Sequence, residues 1–340
     1  MFARIFCQNL ICTQNFSKKI CFRSISVGIL GAPFSKGQPK QGVDQAPDAF
    51  RKFGLIKELQ SLGLDVKDYG NVLFEDENEL STYDKLKFPL TVGAACKKVS
   101  NAVKEVLSDN KKCITLGGDH SLGIGTVYGH SLVHDMCVLW IDAHADINTA
   151  HTTLTGNIHG MPCSFLITEL QKYQNKIPGF GWIKPCVRKS NIAYIGLRDI
   201  DAFEKLILTK EEIVHFTMRD IDKLGIFEVT HRALEAINPT GKLSLHVSFD
   251  IDSIDKLTTP STGTPVIGGM TVREALCLAE EIARHGSLQA LDVVEVNPMM
   301  GSSEQVQNTL NVAIMVIKTF MGYSRHGVVP RDVKEVPMGT

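Results

Sequence analysis

Residues 137–148 read Cys-Val-Leu-Trp-Ile-Asp-Ala-His-Ala-Asp-Ile-Asn, an apolar run that stops at Asp142, His144 and Asp146. A continuous apolar segment bounded by polar residues predicts a buried strand. Side chains at i, i+2 and i+4 of an extended segment point the same way. Asp142, His144 and Asp146 are therefore expected to converge where the strand leaves its sheet. The pattern recurs. Residues 245–252 form an apolar-rich strand ending in Asp250 and Asp252, residues 113–121 end in Asp119 and His120, and Leu291 to Pro298 ends in Glu295-Val-Asn-Pro. Four such strands would gather carboxylates and imidazoles at the carboxyl edge of a parallel sheet, where α/β proteins bind ligands.

Mixed oxygen and nitrogen donors suit manganese or another borderline divalent ion better than structural zinc, which usually takes thiolates. Asp142, Asp146, Asp250, Asp252, His120 and His144 exceed the needs of one ion. Two ions sharing bridging carboxylates fit the donors better, and such pairs lie roughly 3.5–4 Å apart and activate a bridging water. Taken singly, an Asp at a strand end reads as a cap or turn residue, and a His as a satisfied polar group. The repeated spacing is what points to metal.

Strand-like segments fall near 25–31, 65–69, 113–118, 137–142, 191–197, 212–216, 243–250 and 289–296. Helix-like segments lie between them at 45–61, 90–108, 122–130, 160–174, 219–238, 271–285 and 304–320. Alternating strands and helices predict an α/β fold with a central parallel sheet of about eight strands and helices on both faces. No linker rich in Pro, Gly and Ser interrupts the chain, so a single domain is expected. Thr271, with Glu274 three residues on, predicts a capping box at the start of helix 271–285.

Gly-Gly-Asp-His-Ser (117–121), Asp-Ala-His-Ala-Asp-Ile-Asn (142–148), Gly-Asn-Ile-His-Gly (156–160), Ser-Phe-Asp-Ile-Asp (248–252), Gly-Thr-Pro (263–265) and Glu-Val-Asn-Pro (295–298) together resemble the ureohydrolase family and, within it, the arginases. The resemblance runs from about Ser26 to about Gly322 and implies an arginase/deacetylase-like fold. It also implies two Mn2+ per subunit. His120, Asp142, Asp146 and Asp250 match the ligands of one ion, and Asp142, His144, Asp250 and Asp252 those of the other. Asp146, His159 and Glu295 match the catalytic groups, with His159 the proton shuttle and Glu295 the carboxylate that holds a guanidinium. Asn148, Thr155, Asn157, Asp201, Glu204 and Thr264 fall at substrate-binding positions. The implied substrate is L-arginine, and the implied assembly is a homo-oligomer, a trimer. Three positions depart from the family pattern: Thr155 replaces a Ser, Ala145 stands where Thr is common, and Lys256 where Pro is usual. Thr155 keeps the hydroxyl but adds a methyl and stiffens χ1.

The residues support that chemistry independently. A guanidinium carbon is a poor electrophile and cannot be activated by deprotonation. A metal ion can lower the pKa of water from 15.7 to about 7 and so supply hydroxide. An ionised Glu295 accepts the guanidinium N–H donors in a fork, and His159 titrates in the range needed to relay a proton to the leaving amine. The products would be ornithine and urea. Other readings of the same residues stay open. Glu295 alone reads as a capping or surface carboxylate, His159 as a loop histidine, and the threonines around it as turn chemistry. Asp201 reads as a partner of an α-ammonium, as a helix cap or as a partner of Arg198. A ureohydrolase acting on agmatine or guanidinobutyrate, or a catalytically silent metal-binding protein, would share the metal motifs.

Across 340 residues, a hydrophobic content of 44% and a formal net charge of −1 describe an ordinary globule without the basic excess of a nucleic-acid binder. No apolar run reaches transmembrane length. The 9 cysteines include no Cys-x-x-Cys and read as buried small hydrophobes in a reducing compartment. The first acidic residue is Asp44, after Arg4, Lys18, Lys19, Arg23, Lys36 and Lys40. A basic, acid-free amphipathic start predicts a mitochondrial transit peptide over residues 1–25, the alternative being a cytoplasmic protein with an untargeted tail. Residues 26–325 would form the catalytic domain and 326–340 a C-terminal tail.

Overall fold

The computed structural model describes residues 25–75, 82–173 and 176–326. Its strands are β1 (Ser26–Ala32), β2 (Asp65–Asn71), β3 (Thr82–Tyr83), β4 (Leu86–Lys87), β5 (Lys112–Gly117), β6 (Met136–Ile141), β7 (Ile192–Leu197), β8 (Val214–Thr217), β9 (Ser244–Asp250) and β10 (Leu288–Val294). Eight of them form one sheet in the order β2-β1-β5-β10-β9-β6-β7-β8, every neighbouring pair parallel. The single-domain parallel sheet read from the alternation is thus observed. β3 and β4 form a separate antiparallel hairpin that was not expected, because two residues per strand give no periodic signal. The leader over residues 1–25 and the tail over 326–340 fall, apart from Ile25 and His326, outside the described residues.

The topology explains why dispersed motifs meet. β1 leads outward to β2, while β6 leads outward to β7 and β8. β9 and β10 then return to fill the middle, so β5, β10, β9 and β6 stand side by side. These are the strands whose sequences end in carboxylates and imidazoles. The reversal of strand order opens a crevice at their carboxyl ends.

Period-two alternation sorts the core onto two faces. Leu245, Val247 and Phe249 of β9 pack with Leu139 and Ile141 of β6 against helices Ile226–Ile237, Val272–His285 and Ser303–Phe320. Val138 and Trp140 of β6 face the other way, with Ile192 and Tyr194 of β7. On that second face His246 and Asp292 are both buried and paired, with His246 Nε2 2.8 Å from Asp292 Oδ2. The capping box at Thr271 and Glu274 is present.

Three expected helices are divided. Segment 45–61 becomes Ala46–Lys52 and Leu55–Ser61, broken at Gly54 with φ 88°. Segment 219–238 becomes Met218–Leu224 and Ile226–Ile237, broken at Gly225 with φ 78°. A left-handed residue cannot continue a right-handed helix, and glycine adopts it without a Cβ penalty. Segment 160–174 becomes an α-helix over Pro162–Leu166 and a 3-10 helix over Thr168–Tyr173, parted where Ile167 bridges Val187.

Helix Gly123–Ser131 lies against helix Pro89–Ser108 at glycine positions. A Cβ on Gly125 would fall 2.2 Å from the Cys96 carbonyl oxygen, and one on Gly129 2.4 Å from that of Ser100. Backbone cannot yield as a flexible side chain does, so the helices would have to separate. Gly125→Ala should therefore lower stability by about 1–3 kcal/mol despite its better helix propensity. The check is the urea midpoint; an unchanged or raised midpoint would show that the helix pair tolerates the separation.

Candidate metal centre

Three turns of one kind build the ligand set. Asp119 Oδ1 accepts from Ser121 N–H at 3.0 Å, Asp142 Oδ1 from His144 N–H at 2.8 Å, and Asp250 Oδ1 from Asp252 N–H at 2.8 Å. Each is an aspartate bonding the backbone two residues on. The pleated extension expected for 142–146 is therefore not what brings these residues together. β6 ends at Ile141, the chain bends, and Asp146 takes φ 49°. The loop folds back over the strand end, and convergence follows from the turn.

His120 sits at the middle. Its Nδ1 lies 3.0 Å from Asp142 Oδ2, 3.0 Å from Asp146 Oδ2 and 3.1 Å from Asp250 Oδ2. His144 Nδ1 lies 3.4 Å from Asp142 Oδ1 and 3.2 Å from Asp252 Oδ2. Asp142 thus turns one oxygen to each imidazole, which is the disposition of a shared ligand. Asp250 turns Oδ2 to the first imidazole, while its Oδ1 accepts from Asp252 N–H. The His120 ring is fixed from behind, stacked on Trp140 at 4.1 Å and 9°, with Nε2 2.9 Å from Ser248 Oγ. When Nε2–H donates to Ser248, Nδ1 is left bare, the tautomer a metal ligand needs. Trp140 Nε1 also donates to Asp142 Oδ2 at 3.1 Å.

The donors fit divalent metal. His120 Nδ1 is buried and makes no hydrogen bond, although three carboxylate oxygens surround it. The oxygen and nitrogen donors fall into two groups that could each hold an ion: His120 with Asp142 and Asp146, and His144 with Asp142 and Asp252. Buried carboxylates without counter-charge cost several kcal/mol each. Here the cluster is biased toward its protonated forms. Burial opposes a charged imidazole, yet Asp142, Asp146 and Asp250 hold the His120 imidazolium well above its usual range. Burial and the charges of Asp252 and Asp142 push the Asp250 carboxyl well above its own, and burial with Asp142 brings Asp146 to about 6.

A cavity of about 230 Å³ opens above the centre. His159 borders it, with Nδ1 3.2 Å from Glu295 Oε1. Glu295 itself is 2% exposed and also accepts from the His120 N–H at 2.8 Å. Like Asp146 it carries a positive φ, 62°. Burial works against a charged His159, but the Glu295 carboxylate raises it above the ordinary histidine value.

A model of the arginase family matches residues 25–322. This chain belongs to the arginase family. It is 48% identical to the human protein named arginase-2, mitochondrial, over 89% of this chain and 86% of that one. The native arginase of Bacillus caldovelox superposes with a TM-score of 0.80 at 32% identity, covering 88% of this chain and 99% of its own. The arginase of Entamoeba histolytica, solved in complex with L-ornithine, gives 0.78 at 26% identity over 88% and 99%.

The remaining positions expected of an arginase lie around the same cavity, many of them already engaged. Asp201 Oδ1 caps helix Ala202–Lys210 by accepting from Phe203 and Glu204 N–H, while Oδ2 accepts from Asn148 Nδ2 at 2.6 Å. The cap reading of Asp201 is thus realised, and a free side remains toward the cavity. Arg198 does not pair with it; its guanidinium donates to carbonyls of Ser253 and Val266. Glu204 closes the capping box, and burial followed by the charge of Asp146 pushes its carboxyl up to about 8. Thr155 Oγ1 accepts from Asn157 N–H at 3.2 Å. Thr264 donates to Asp252 Oδ2 at 3.1 Å, supporting a ligand. Asn157 stands behind the lining, its Oδ1 3.0 Å from Lys87 Nζ. Asp199 lines the cavity and approaches His144 Nε2 at 3.6 Å, yet was not among the expected residues. Its alternate spacing with Asp201 at the end of β7 was the available signal.

A divalent ion held by this centre should stabilise the fold by about 2.7 kcal/mol at one hundred times its Kd. Asp142→Asn should abolish most of that rise in thermal midpoint, because it weakens both groups. A carboxyl whose folded pKa is raised loses stability as the pH climbs from its unfolded value to its folded one, and above that the full cost is present. Metal-free Asp250→Asn should therefore melt above metal-free wild type at pH 7 while gaining little from manganese. A full manganese response in Asp142→Asn would refute its shared position.

Proposed function

We propose that this protein is a manganese-dependent arginase that hydrolyses L-arginine to L-ornithine and urea. The observation that carries the reading is Asp142, whose two oxygens face two separate imidazole–carboxylate groups at the floor of a small polar cavity. His120, Asp142, Asp146 and Asp250 would hold one Mn2+, and Asp142, His144, Asp250 and Asp252 the second. Carboxylate-rich donors with imidazole suit manganese. When bound, two such ions supply the Lewis acidity that lets water attack near neutral pH as hydroxide.

The chain's own residues do the rest. Asp146 reaches His120 with Oδ2, and its Oδ1 remains to accept a hydrogen bond from the attacking water. Glu295 accepts guanidinium N–H donors and aims the carbon, its backbone conformation held by the N–H of Glu295 donating to the Gly118 carbonyl at 3.0 Å. His159, whose hold on a proton Glu295 strengthens, gives its proton to the leaving amine and is open enough to recover one from solvent. Asp199, Asp201 and Glu204 offer acceptors for an α-ammonium, and Asn148 and Thr155 offer donors for an α-carboxylate. Agmatine has no carboxylate for those donors, which favours the amino acid. The ornithine bound to the Entamoeba histolytica arginase is the matching product.

We further propose a homotrimer, on family resemblance, and delivery to mitochondria by residues 1–25. The basic, acid-free composition and the human relative's name support that address. Residues 1–30 fused to a fluorescent reporter should enter mitochondria; a diffuse cytosolic signal would count against it.

The deciding assay is urea and ornithine release from L-arginine after manganese loading, with agmatine alongside. Metal-loaded protein that releases no urea from arginine overturns the reading. His159→Asn should lower kcat by about 10²–10⁴-fold with both ions retained on metal analysis. Wild-type turnover in that variant would mean His159 carries no proton. Asp201→Ala should raise KM for arginine about tenfold, the worth of one charged hydrogen bond, and affect a des-amino analogue far less.

A further inference from the structure

The acids that bind an α-ammonium create a difficulty for the carboxylate beside it. Asp146, Asp199, Asp201, Glu204 and Asp250 all border the cavity, and no lysine or arginine among the described residues does. The three imidazoles on the same lining, His120, His144 and His159, lie against carboxylates, so partners for an α-carboxylate must come from the polar side chains at the rim. A lysine reaches that rim from outside the lining. Lys87 is the last residue of β4, in the small hairpin that the periodicity of the sequence did not reveal. Its Nζ lies 3.0 Å from Asn157 Oδ1, and its backbone N–H donates to the Gly156 carbonyl at 2.9 Å.

An ammonium has donors and no acceptor, so Asn157 must turn its amide oxygen to Lys87. The Nδ2 hydrogens then point elsewhere, and no described residue accepts from them. Thr155 Oγ1 is occupied as an acceptor by the Asn157 N–H, which leaves the hydroxyl hydrogen to donate. Both side chains are thus preset as donors, the polarity an anion needs. The fit of hairpin to loop has little slack. Gly156 takes φ 73°, and a Cβ there would lie 1.8 Å from the Lys85 carbonyl oxygen.

We propose that Lys87 is a specificity-determining positioning residue. It locks Asn157, whose backbone N–H holds the Thr155 hydroxyl that borders the cavity with its hydrogen free to donate to the substrate's α-carboxylate, and it adds a positive charge on that side of the site. The inference rests on the arginine reading above. A lysine that only ties the hairpin to the loop would not distinguish ligands with a carboxylate from ligands without one.

The test uses the full chain loaded with manganese, and the variants Lys87→Met and Lys87→Arg. L-Ornithine and putrescine differ only in the α-carboxylate, so each is measured as a competitive inhibitor beside KM and kcat for arginine. Lys87→Met should raise KM and the ornithine inhibition constant about tenfold, leave kcat within about twofold, and leave the putrescine constant unchanged. Lys87→Arg should restore most of the loss, because it keeps the charge and the donors. Equal changes for both diamines, no change for either, or a fall in kcat at constant KM would each overturn the assignment. If wild type releases no urea from arginine, the arginine reading itself fails. Calorimetric titration with the same two diamines then judges Lys87 by the same criterion.

Discussion

Asp142 gives one carboxylate oxygen to each of two imidazoles, and the arrangement of the centre follows from how that carboxylate is held. Its position is fixed by covalent attachment to the end of β6, by the Trp140 indole N–H beneath one oxygen and by the His144 backbone N–H at the other. A carboxylate with both oxygens oriented in this way is already committed to two cationic sites before either is filled. Asp146, Asp250 and Asp252 add negative charge around it in a dry setting. That concentration of anions in a buried setting is unfavourable unless balanced, and it raises the proton affinity of the His120 imidazole and the Asp250 carboxyl. Divalent ions would replace protons there, so binding and protonation compete for the same oxygens.

The rigidity needed to hold the centre comes from the middle of the sheet. β5, β10, β9 and β6 are flanked on both sides by other strands, and Ile141, Val247, Phe249 and Leu291 are fully buried. Two residues at the site, Asp146 and Glu295, stand at positive φ without being glycine. Such conformations cost about 1–3 kcal/mol each and persist only where the surroundings hold them. Glu295 is held by its backbone bond to Gly118 and by the His120 N–H on its side chain, and these contacts tie the end of β10 to the end of β5. The residue proposed to aim the substrate and a residue proposed to bind metal are therefore parts of one hydrogen-bonded unit.

Around the cavity the same economy recurs. Asp201 caps a helix with one oxygen and faces Asn148 with the other, and Asn148 in turn accepts from Thr152 at 2.7 Å. A polar side chain whose neighbours already fix it loses little freedom when a ligand arrives. The readings of Asp201 as a cap and as a ligand contact, which look like alternatives in the sequence, are compatible because a carboxylate has two oxygens.

Much of this was legible in the linear chain. An apolar run needs a dry strand wherever it lies, so the central strands of the main sheet could be read from their buried runs, and aspartates and histidines at their ends had to gather once the strands were parallel. Arginase membership was likewise written in contiguous motifs. What the sequence could not carry was contact between residues far apart in it. The turn geometry at Asp142 and Asp146 comes from hydrogen bonds across strand ends, whereas the side-chain alternation of an extended chain would have suggested a simple pleat. Gly54 and Gly225 divide helices whose apolar periodicity runs straight through them. Lys87 reads in sequence as one lysine among many, with no pattern to mark it. Only the packing of a four-residue hairpin pairing, Thr82–Tyr83 with Leu86–Lys87, against the loop at Gly156 brings its ammonium to Asn157. Local pattern determines which segments are buried and which side chains can do chemistry; the distance between two charges is decided by how those segments pack.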